Sequence, residues 1–304
     1  MRFILFYTFY SIIWLITRLP LSLLYGFSSL CFPLVYYLIP YRKDVVFNNL
    51  RNSFPAWDEN RVRQTAKSFY RHFCDSMIES TALNFLNEKE PLKRLRYKNP
   101  ELVNELYNKG KSIVLLMAHY GNWELTNTCP RFVKHEVVAI YKPLSNKYFN
   151  KFFIRARERF GVKTIAMEKI VRYLSEASKQ DRRTMTYFLA DQRPHWSKIQ
   201  YWTKFLNQDT PVILGPEKIA RKFNMAVVYL KITRLSRGQY EAEFILLKED
   251  SRATRDFEIT DLYFKNLENT IIEAPEYWLW THKRWKYASR GSVGIASARL
   301  GQVQ

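Results

Sequence analysis

Two residues combine the types and spacing needed for acid–base chemistry: His119 and Glu124, which follow an apolar run at residues 113–117. An imidazole exchanges a proton near neutral pH, and a carboxylate that holds one ring nitrogen leaves the other free as a general base. The pair therefore predicts proton transfer to or from a substrate. The alternative is a hydrogen-bonded loop histidine, because a chain with five histidines and 28 acidic residues also produces this spacing by chance.

A buried strand must present this pair. Short runs of β-branched and aliphatic residues, such as the run before His119, are typical of strands covered on both faces. Gly121 permits a sharp turn after the strand, and Asn122 is placed to cap a helix that begins near Trp123. We therefore expect His119 at the mouth of the strand and Glu124 in the first helical turn.

Strand-like and helical patterns alternate along the rest of the chain. The predicted strands are residues 112–117, 137–141, 163–166, 184–189, 226–231 and 240–247. The predicted helices include residues 146–160, 168–178, 211–223 and 260–274. This alternation predicts an α/β fold with a mixed, mainly parallel sheet flanked by helices. The last two strands meet near Gly238 and are expected to be antiparallel.

The N-terminal segment, residues 1–43, is predicted to be a membrane anchor, either a helix or a hairpin. Residues 3–17 carry no charge, and the uncharged run at residues 19–41 is long enough to span a bilayer. A helix lying within one leaflet and a buried, aromatic-rich hairpin are the alternatives. The basic residues Arg42 and Lys43 predict that the globular part faces the cytoplasm.

The remainder divides into a globular domain, residues 44–288, and a tail, residues 289–304, whose Gly, Ser and Ala content predicts flexibility. A helix is expected at residues 58–86. Four basic residues fall roughly on one face of it, and this row is either a binding surface or a solvated face: Arg61, Arg63, Lys67 and Arg71.

Charge and composition narrow the choice of partner. The chain has 48 Lys and Arg against 28 Asp and Glu, a net charge of +20, which favours nucleic acid, lipid headgroups or an acidic protein. Aromatic residues make up 16% of the chain and are frequent near the N-terminus, which favours a membrane. The three widely spaced cysteines predict neither a disulfide framework nor a zinc site.

Five sequence blocks carry a resemblance to a known family. They are His119 to Glu124, Tyr141-Lys142-Pro143, the arginines Arg155, Arg157 and Arg159 before Gly161, Ala190-Asp191-Gln192, and Pro275 to Lys286. In this order they resemble the bacterial lipid A biosynthesis acyltransferases, the lauroyl and myristoyl transferases of the wider lysophospholipid acyltransferase group. The resemblance covers almost the whole chain. The chain departs from the family pattern at Lys142, where arginine is usual, and at residues 205–207, where two aromatics and a glycine are usual.

The resemblance implies a glycerolipid acyltransferase-like fold and a membrane-bound O-acyltransferase at the bacterial inner membrane, with residues 44–288 as the acyltransferase domain. A fatty acyl chain is expected to pass from an acyl carrier protein thioester, or from acyl-CoA, to a hydroxyl of a lipid A precursor or related membrane lipid. No further cofactor and no metal are expected. The residues assigned to substrate binding are Arg159, Arg157, Asp191, Tyr141 and Lys142.

Acyl transfer from a thioester to a hydroxyl needs a base for the hydroxyl proton and an acid for the leaving thiolate. We predict that His119 serves as both and that Glu124 fixes its tautomer. Arg159, with Arg157 as second choice, is expected to pair with a substrate phosphate or developing negative charge; the alternative is a solvated helix face. Asp191 is expected at a strand end, where it orients Arg159 or another cation, or caps a turn.

Two other classes of protein are compatible with parts of the sequence. A basic, membrane-associated nucleic-acid-binding protein would explain the charge and the aromatics, but the sequence has no recognised nucleic-acid motif. A lipid hydrolase that uses His119 and Glu124 would lack the Gly-x-Ser-x-Gly nucleophile motif. Trp278, Trp280 and Trp285 of the last block are expected to serve packing or an interfacial belt rather than catalysis.

Overall fold

The computed structural model of the chain describes residues 7–8, 10–11, 14–15, 17, 19–83, 85–143 and 145–288. The predicted tail at residues 289–304 lies outside these residues, and so do parts of the predicted anchor at residues 1–43.

The apolar runs of the sequence form the strands of a mixed sheet. The strands are β1 (Leu95–Tyr97), β2 (Ile113–Met117), β3 (Glu136–Tyr141), β4 (Lys163–Ala166), β5 (Thr184–Leu189), β6 (Trp202–Phe205), β7 (Gln208–Pro211), β8 (Ala226–Ser236) and β9 (Gln239–Lys248). The main sheet has the order β1-β9-β8-β2-β5-β3-β4, and only the β8–β9 pair is antiparallel. The predicted mixed, mainly parallel sheet is therefore confirmed. β2 lies at its centre and is buried along its whole length.

Helices flank this sheet, which confirms the α/β class. They are α1 (Leu21–Pro33), α2 (Lys43–Ser53), α3 (Glu59–Ala82), α4 (Lys89–Leu92), α5 (Pro100–Asn108), α6 (Lys147–Glu158), α7 (Ile170–Lys179), α8 (Gly215–Phe223) and α9 (Glu258–Glu273). A π-helical segment (Leu34–Leu38) continues α1, and 3₁₀ turns occupy Trp123–Arg131, Met167–Lys169, Trp196–Lys198 and Pro275–Tyr277. The start of α3 follows from a local cap, because the Asp58 side chain accepts a hydrogen bond from the backbone N–H of Arg61 at 2.7 Å.

One hairpin was not predicted, and one predicted helix begins where expected, near Trp123, but differs in type and in its cap. The small hairpin of β6 and β7 was not expected, since its turn residues, Leu206 and Asn207, have φ of 48° and 62° without the usual Asn-Gly signal. The segment after Trp123 is a 3₁₀ helix, and Asn122 does not cap it with its side chain. The Asn122 amide instead donates to the buried Glu79 carboxylate at 2.8 Å, because α3 packs over this turn.

The N-terminal helix α1 has two different faces. Leu24 and Ser28 are buried, whereas the side chains of Leu23 and Leu30 on the other side are 55% and 72% exposed. Among the described residues, no helix is both long and apolar enough to cross a bilayer by itself. Residues 22–38 and 43–53 satisfy that criterion only as a pair, and the pair is bent by 86°.

Candidate active site

His119 lies just beyond the carboxyl end of β2, in a turn held by the segment that follows α9. The backbone N–H of Leu279 donates to the carbonyl of His119 at 3.0 Å, and the N–H of Gly121 donates to the carbonyl of Tyr277 at 3.0 Å. Gly121 has φ of +59°, and a Cβ atom there would lie only 3.0 Å from the Ile232 side chain. Glycine is therefore required at this turn by conformation and by space.

The sheet brings Asp191 to this histidine. β2 and β5 run parallel with Met117 opposite Leu189, so residues two positions further along each strand lie side by side. His119 Nδ1 is 2.7 Å from Asp191 Oδ1, and the backbone N–H of His119 donates to Oδ2 at 3.1 Å. The indole of Trp278 donates to Oδ2 as well, at 3.0 Å. The Asp191 side chain is 2% exposed and that of His119 is 17% exposed, so only the histidine reaches solvent.

The carboxylate that holds His119 is thus Asp191, where the sequence predicted Glu124. No hydrogen bond joins Glu124 to His119 in the described part of the chain. Glu124 instead pairs with Arg157 at 3.1 Å and accepts a hydrogen bond from the Asn127 amide at 3.1 Å. The 3₁₀ turn directs Glu124 towards α6, and the ring of the preceding Trp123 packs against the imidazole at 5.0 Å between centroids. Asp191 was also expected to orient Arg159 or another cation; it holds His119, and no contact joins it to Arg159 among the described residues.

The pairing sets the protonation of both groups. Burial opposes the imidazolium form, but the Asp191 charge and its hydrogen bond outweigh burial and raise the pKa of His119 above its usual 6.5. Burial likewise opposes ionisation of Asp191, yet the histidine beside it lowers the pKa of that carboxyl below its usual 3.8. Asp191 is therefore ionised at neutral pH. Nδ1 of His119 is protonated and donates its hydrogen bond to the Asp191 carboxylate.

An apolar cavity of about 350 Å³ begins beside this pair, within the roughly 300–1,000 Å³ typical of ligand sites. Met117, Ala190 and Trp123 line it near the histidine, and Glu124 and Arg157 are its charged residues. Aliphatic and aromatic side chains of the sheet, α7 and α8 form the rest of the wall, among them Ile140, Ile170, Phe188, Leu189, Ile213 and Ile219. The volume and the mostly apolar lining suit a hydrocarbon chain.

Of the predicted substrate-binding residues, one lines the cavity and the others lie outside it. Arg157 lines the cavity, whereas Arg159 donates to the backbone carbonyls of Leu83 and Leu86 on another side of α6. Helix residues two positions apart do not share a face, so only one of the two arginines can reach the cavity. Tyr141 and Lys142, at the end of β3, do not line this cavity either.

Several supporting residues were not assigned a site role from the sequence. Trp278, expected to serve packing, is buried and also positions Asp191. Phe205 of the unpredicted hairpin packs against Trp278 with 5.8 Å between centroids. The Gln192 amide nitrogen lies 3.5 Å from Nδ1 and 3.4 Å from Nε2 of His119. The Ala190-Asp191-Gln192 and Pro275 to Lys286 blocks were the sequence signals that pointed to these positions.

Fold and site together define an α/β enzyme with a histidine–aspartate pair beside an apolar cavity. No cluster of three or more potential metal ligands occurs among the residues that the structure describes. The sequence matches the family model described as "Bacterial lipid A biosynthesis acyltransferase" over residues 1–287, and the chain belongs to this family. The resemblance seen in the sequence blocks is thereby confirmed, and the protein is an acyltransferase.

Two relatives support the same assignment. A lipid A biosynthesis acyltransferase of Haemophilus influenzae is 23% identical over 238 residues, which cover 76% of this chain and 72% of the relative. A lipid A biosynthesis lauroyltransferase of Escherichia coli K12 is 20% identical over 283 residues, which cover 92% of this chain and 91% of the relative.

Proposed function

We propose that the protein is a membrane-bound O-acyltransferase that moves a fatty acyl chain from an acyl carrier protein thioester to a hydroxyl of a lipid A precursor or related membrane lipid. Family membership and the names of both relatives support lipid A biosynthesis. The observation that carries the reaction type is the solvent-accessible edge of His119, held by Asp191 at 2.7 Å beside an apolar cavity.

The reaction needs two proton transfers at one imidazole. Nε2 of His119 takes the proton of the acceptor hydroxyl as its oxygen bonds to the thioester carbonyl carbon. Asp191 stabilises the imidazolium that forms, because its negative charge already accepts the hydrogen bond from Nδ1 of His119. The tetrahedral intermediate then collapses, the carbon–sulfur bond breaks, and the imidazolium returns the proton to the thiolate. The products are an ester and a free thiol.

The charged residues of the cavity have a separate role in this proposal. Glu124 holds the Arg157 guanidinium at 3.1 Å beside the space where the thioester would lie. Arg157 can there face an anionic substrate group or the charge that develops on the carbonyl oxygen. Arg159, Tyr141 and Lys142 remain predicted contacts to the acceptor outside the acyl cavity.

The pH dependence of acyl transfer follows from the His119–Asp191 pair. The base must be neutral, so kcat/KM is expected to rise with pH through a midpoint above 6.5, since Asp191 raises the pKa of His119. In Asp191→Asn the residual activity should have a lower midpoint, because burial alone lowers a histidine pKa. Rates measured from about pH 5 to 9 test this. A wild-type midpoint at or below 6.5 would contradict the pairing.

Chain-length selection should depend on the volume of the cavity. A Cβ atom at Gly215 would meet nothing closer than the Ile213 methyl at 3.9 Å, and both residues line the cavity. Gly215→Leu is therefore expected to shift preference towards shorter acyl chains by about ten-fold, the value of about two buried methylenes. Competition between acyl carrier protein donors of graded length measures this. Gly215→Ala is the control and should shift preference less; no shift in Gly215→Leu would place the chain elsewhere.

Membrane association is part of the proposal. The exposed apolar side chains of α1, among them Leu23 and Leu30, give the protein a surface suited to one leaflet of a bilayer. The net charge of +20 suits an acidic carrier protein and an anionic membrane surface. We propose that the enzyme works on the cytoplasmic face of the bacterial inner membrane.

The direct test is acyl transfer from labelled acyl carrier protein and from acyl-CoA to a panel of lipid acceptors in detergent, with and without a chelator. We expect an acylated lipid A precursor, faster transfer from the carrier protein, and no effect of chelation. Release of free fatty acid without need for an acceptor would instead indicate a lipid hydrolase. Product formed only from acyl-CoA would overturn the proposed donor.

A further inference from the structure

A second cavity, of about 370 Å³, lies between α1, α3 and the β8–β9 turn, and it shares no lining residue with the acyl cavity. Its basic residues are Arg71, Arg234 and Arg237, and we call it the arginine pocket. Serine hydroxyls of α1 and α3 and the ring of Tyr277 complete much of its wall.

The positive charge of the arginine pocket is incompletely balanced. The buried Asp75 carboxylate is shared by Arg234, at 3.1 Å, and Arg237, at 2.6 Å, and also accepts a hydrogen bond from Ser28 at 2.7 Å. One carboxylate thus fixes two guanidinium groups in place. Glu276 is the other acidic residue in the lining, so three positive charges face two negative ones.

Arg71 is the basic residue free to take a ligand. Within the described residues it forms no ion pair, and its guanidinium rests over the Phe32 ring at 5.0 Å. It is exposed and lies on the same side of α3 as Lys67 and Arg63, which precede it by four and eight residues. A planar guanidinium held over a ring beside two others is suited to bidentate contact with a phosphate.

The position of the pocket indicates which phosphate it would bind. α1 contributes Ser28 and Ser29 to the lining, while the neighbouring positions Phe27 and Leu30 on the same helix are 46% and 72% exposed. A lipid whose chains lie along that apolar face can place its headgroup in the pocket. Basic residues beside an apolar helix face are typical of binding to anionic lipids.

We propose that the arginine pocket binds the phosphate of an anionic membrane phospholipid, in addition to the acyl acceptor of the active site. The proposal relies on membrane association but not on acyl transfer. Such a lipid would fix α1 relative to the membrane surface.

The test is titration of the full chain with dihexanoyl phosphatidylglycerol below its micelle concentration, by calorimetry, so that adsorption to a bilayer does not contribute. We expect saturable binding that weakens about ten-fold or more in Arg71→Ala, the scale of one charged hydrogen bond. Arg61→Ala is the matched control, since it removes the same charge from the same helix. The Arg61 guanidinium stacks on the Trp57 ring at 4.3 Å and does not line the pocket. This variant should bind like wild type.

Three results would overturn the proposal: no saturable binding, equal weakening by both variants, or displacement of the lipid by inorganic phosphate with the same affinity as the lipid itself. The last result would identify free phosphate as the ligand. The same titration with His119→Ala separates this site from the active site, because the variant should lose acyl transfer and still bind the lipid.

Discussion

His119→Ala is expected to lower kcat/KM for acyl transfer by about 10²- to 10⁴-fold, the usual contribution of a general acid–base residue. The physical reason is that, among the histidines of the described residues, His119 alone has its ring held by a buried carboxylate, and its side chain still reaches solvent. Nδ1 of His119 is occupied by Asp191 at 2.7 Å, and the residues next to this pair, Met117 and Ala190, line the acyl cavity.

Folding must be separated from chemistry in this experiment. The His119 backbone, and not its side chain, carries the contact to Leu279, so the alanine variant should keep the turn and unfold at nearly the wild-type temperature. His195→Ala is a suitable control, because His195 is exposed and its ring hydrogen-bonds to the nearby Ser197, away from the active site. Full activity in His119→Ala with a normal melting temperature would remove this residue from the mechanism.

Asp191→Asn and Glu124→Gln should differ strongly in their effect, and this is the second large prediction. We expect a loss of about 10³- to 10⁴-fold in Asp191→Asn, the scale seen when an orienting carboxylate of a catalytic triad is made neutral. An amide no longer stabilises the imidazolium and can favour the wrong tautomer. Glu124→Gln should cost about ten-fold, because its carboxylate holds Arg157 at the cavity rather than the base.

The comparison decides between two pairings of the same histidine. Both substitutions keep the side-chain volume, so neither creates a cavity, and steady-state rates with the same donor and acceptor suffice. The pH profile is an independent readout, since Asp191 raises the pKa of His119 by its charge and its hydrogen bond whereas Glu124 acts by charge alone, so Asp191→Asn should lower the midpoint of the remaining activity more than Glu124→Gln. A larger loss in Glu124→Gln than in Asp191→Asn would show that Glu124 moves onto His119 when substrate binds.

Much of the fold follows from local patterns. The runs that form β2, β3, β4 and β5 were located to within a residue or so, because short runs rich in β-branched and aliphatic residues between helical patterns are typical of strands. Helices with a clear apolar stripe were located for the same reason. The β6–β7 hairpin was missed because Leu206 and Asn207 adopt positive φ under the influence of packing, where Leu206 is 1% exposed, and not through a favoured turn sequence.

By itself, the sequence determined the family, the α/β class and the position of His119 at the end of a buried strand, because each depends on residues close together in the chain. Tertiary structure alone decided the partner of that histidine. Asp191 is 72 positions away and becomes a neighbour only because β5 pairs with β2 in parallel register. Glu124, five positions away, is turned towards Arg157 by a 3₁₀ helix and the Trp123 ring. The raised pKa of His119 has the same origin, since the opposing effects of burial and the Asp191 charge exist only once the sheet has formed.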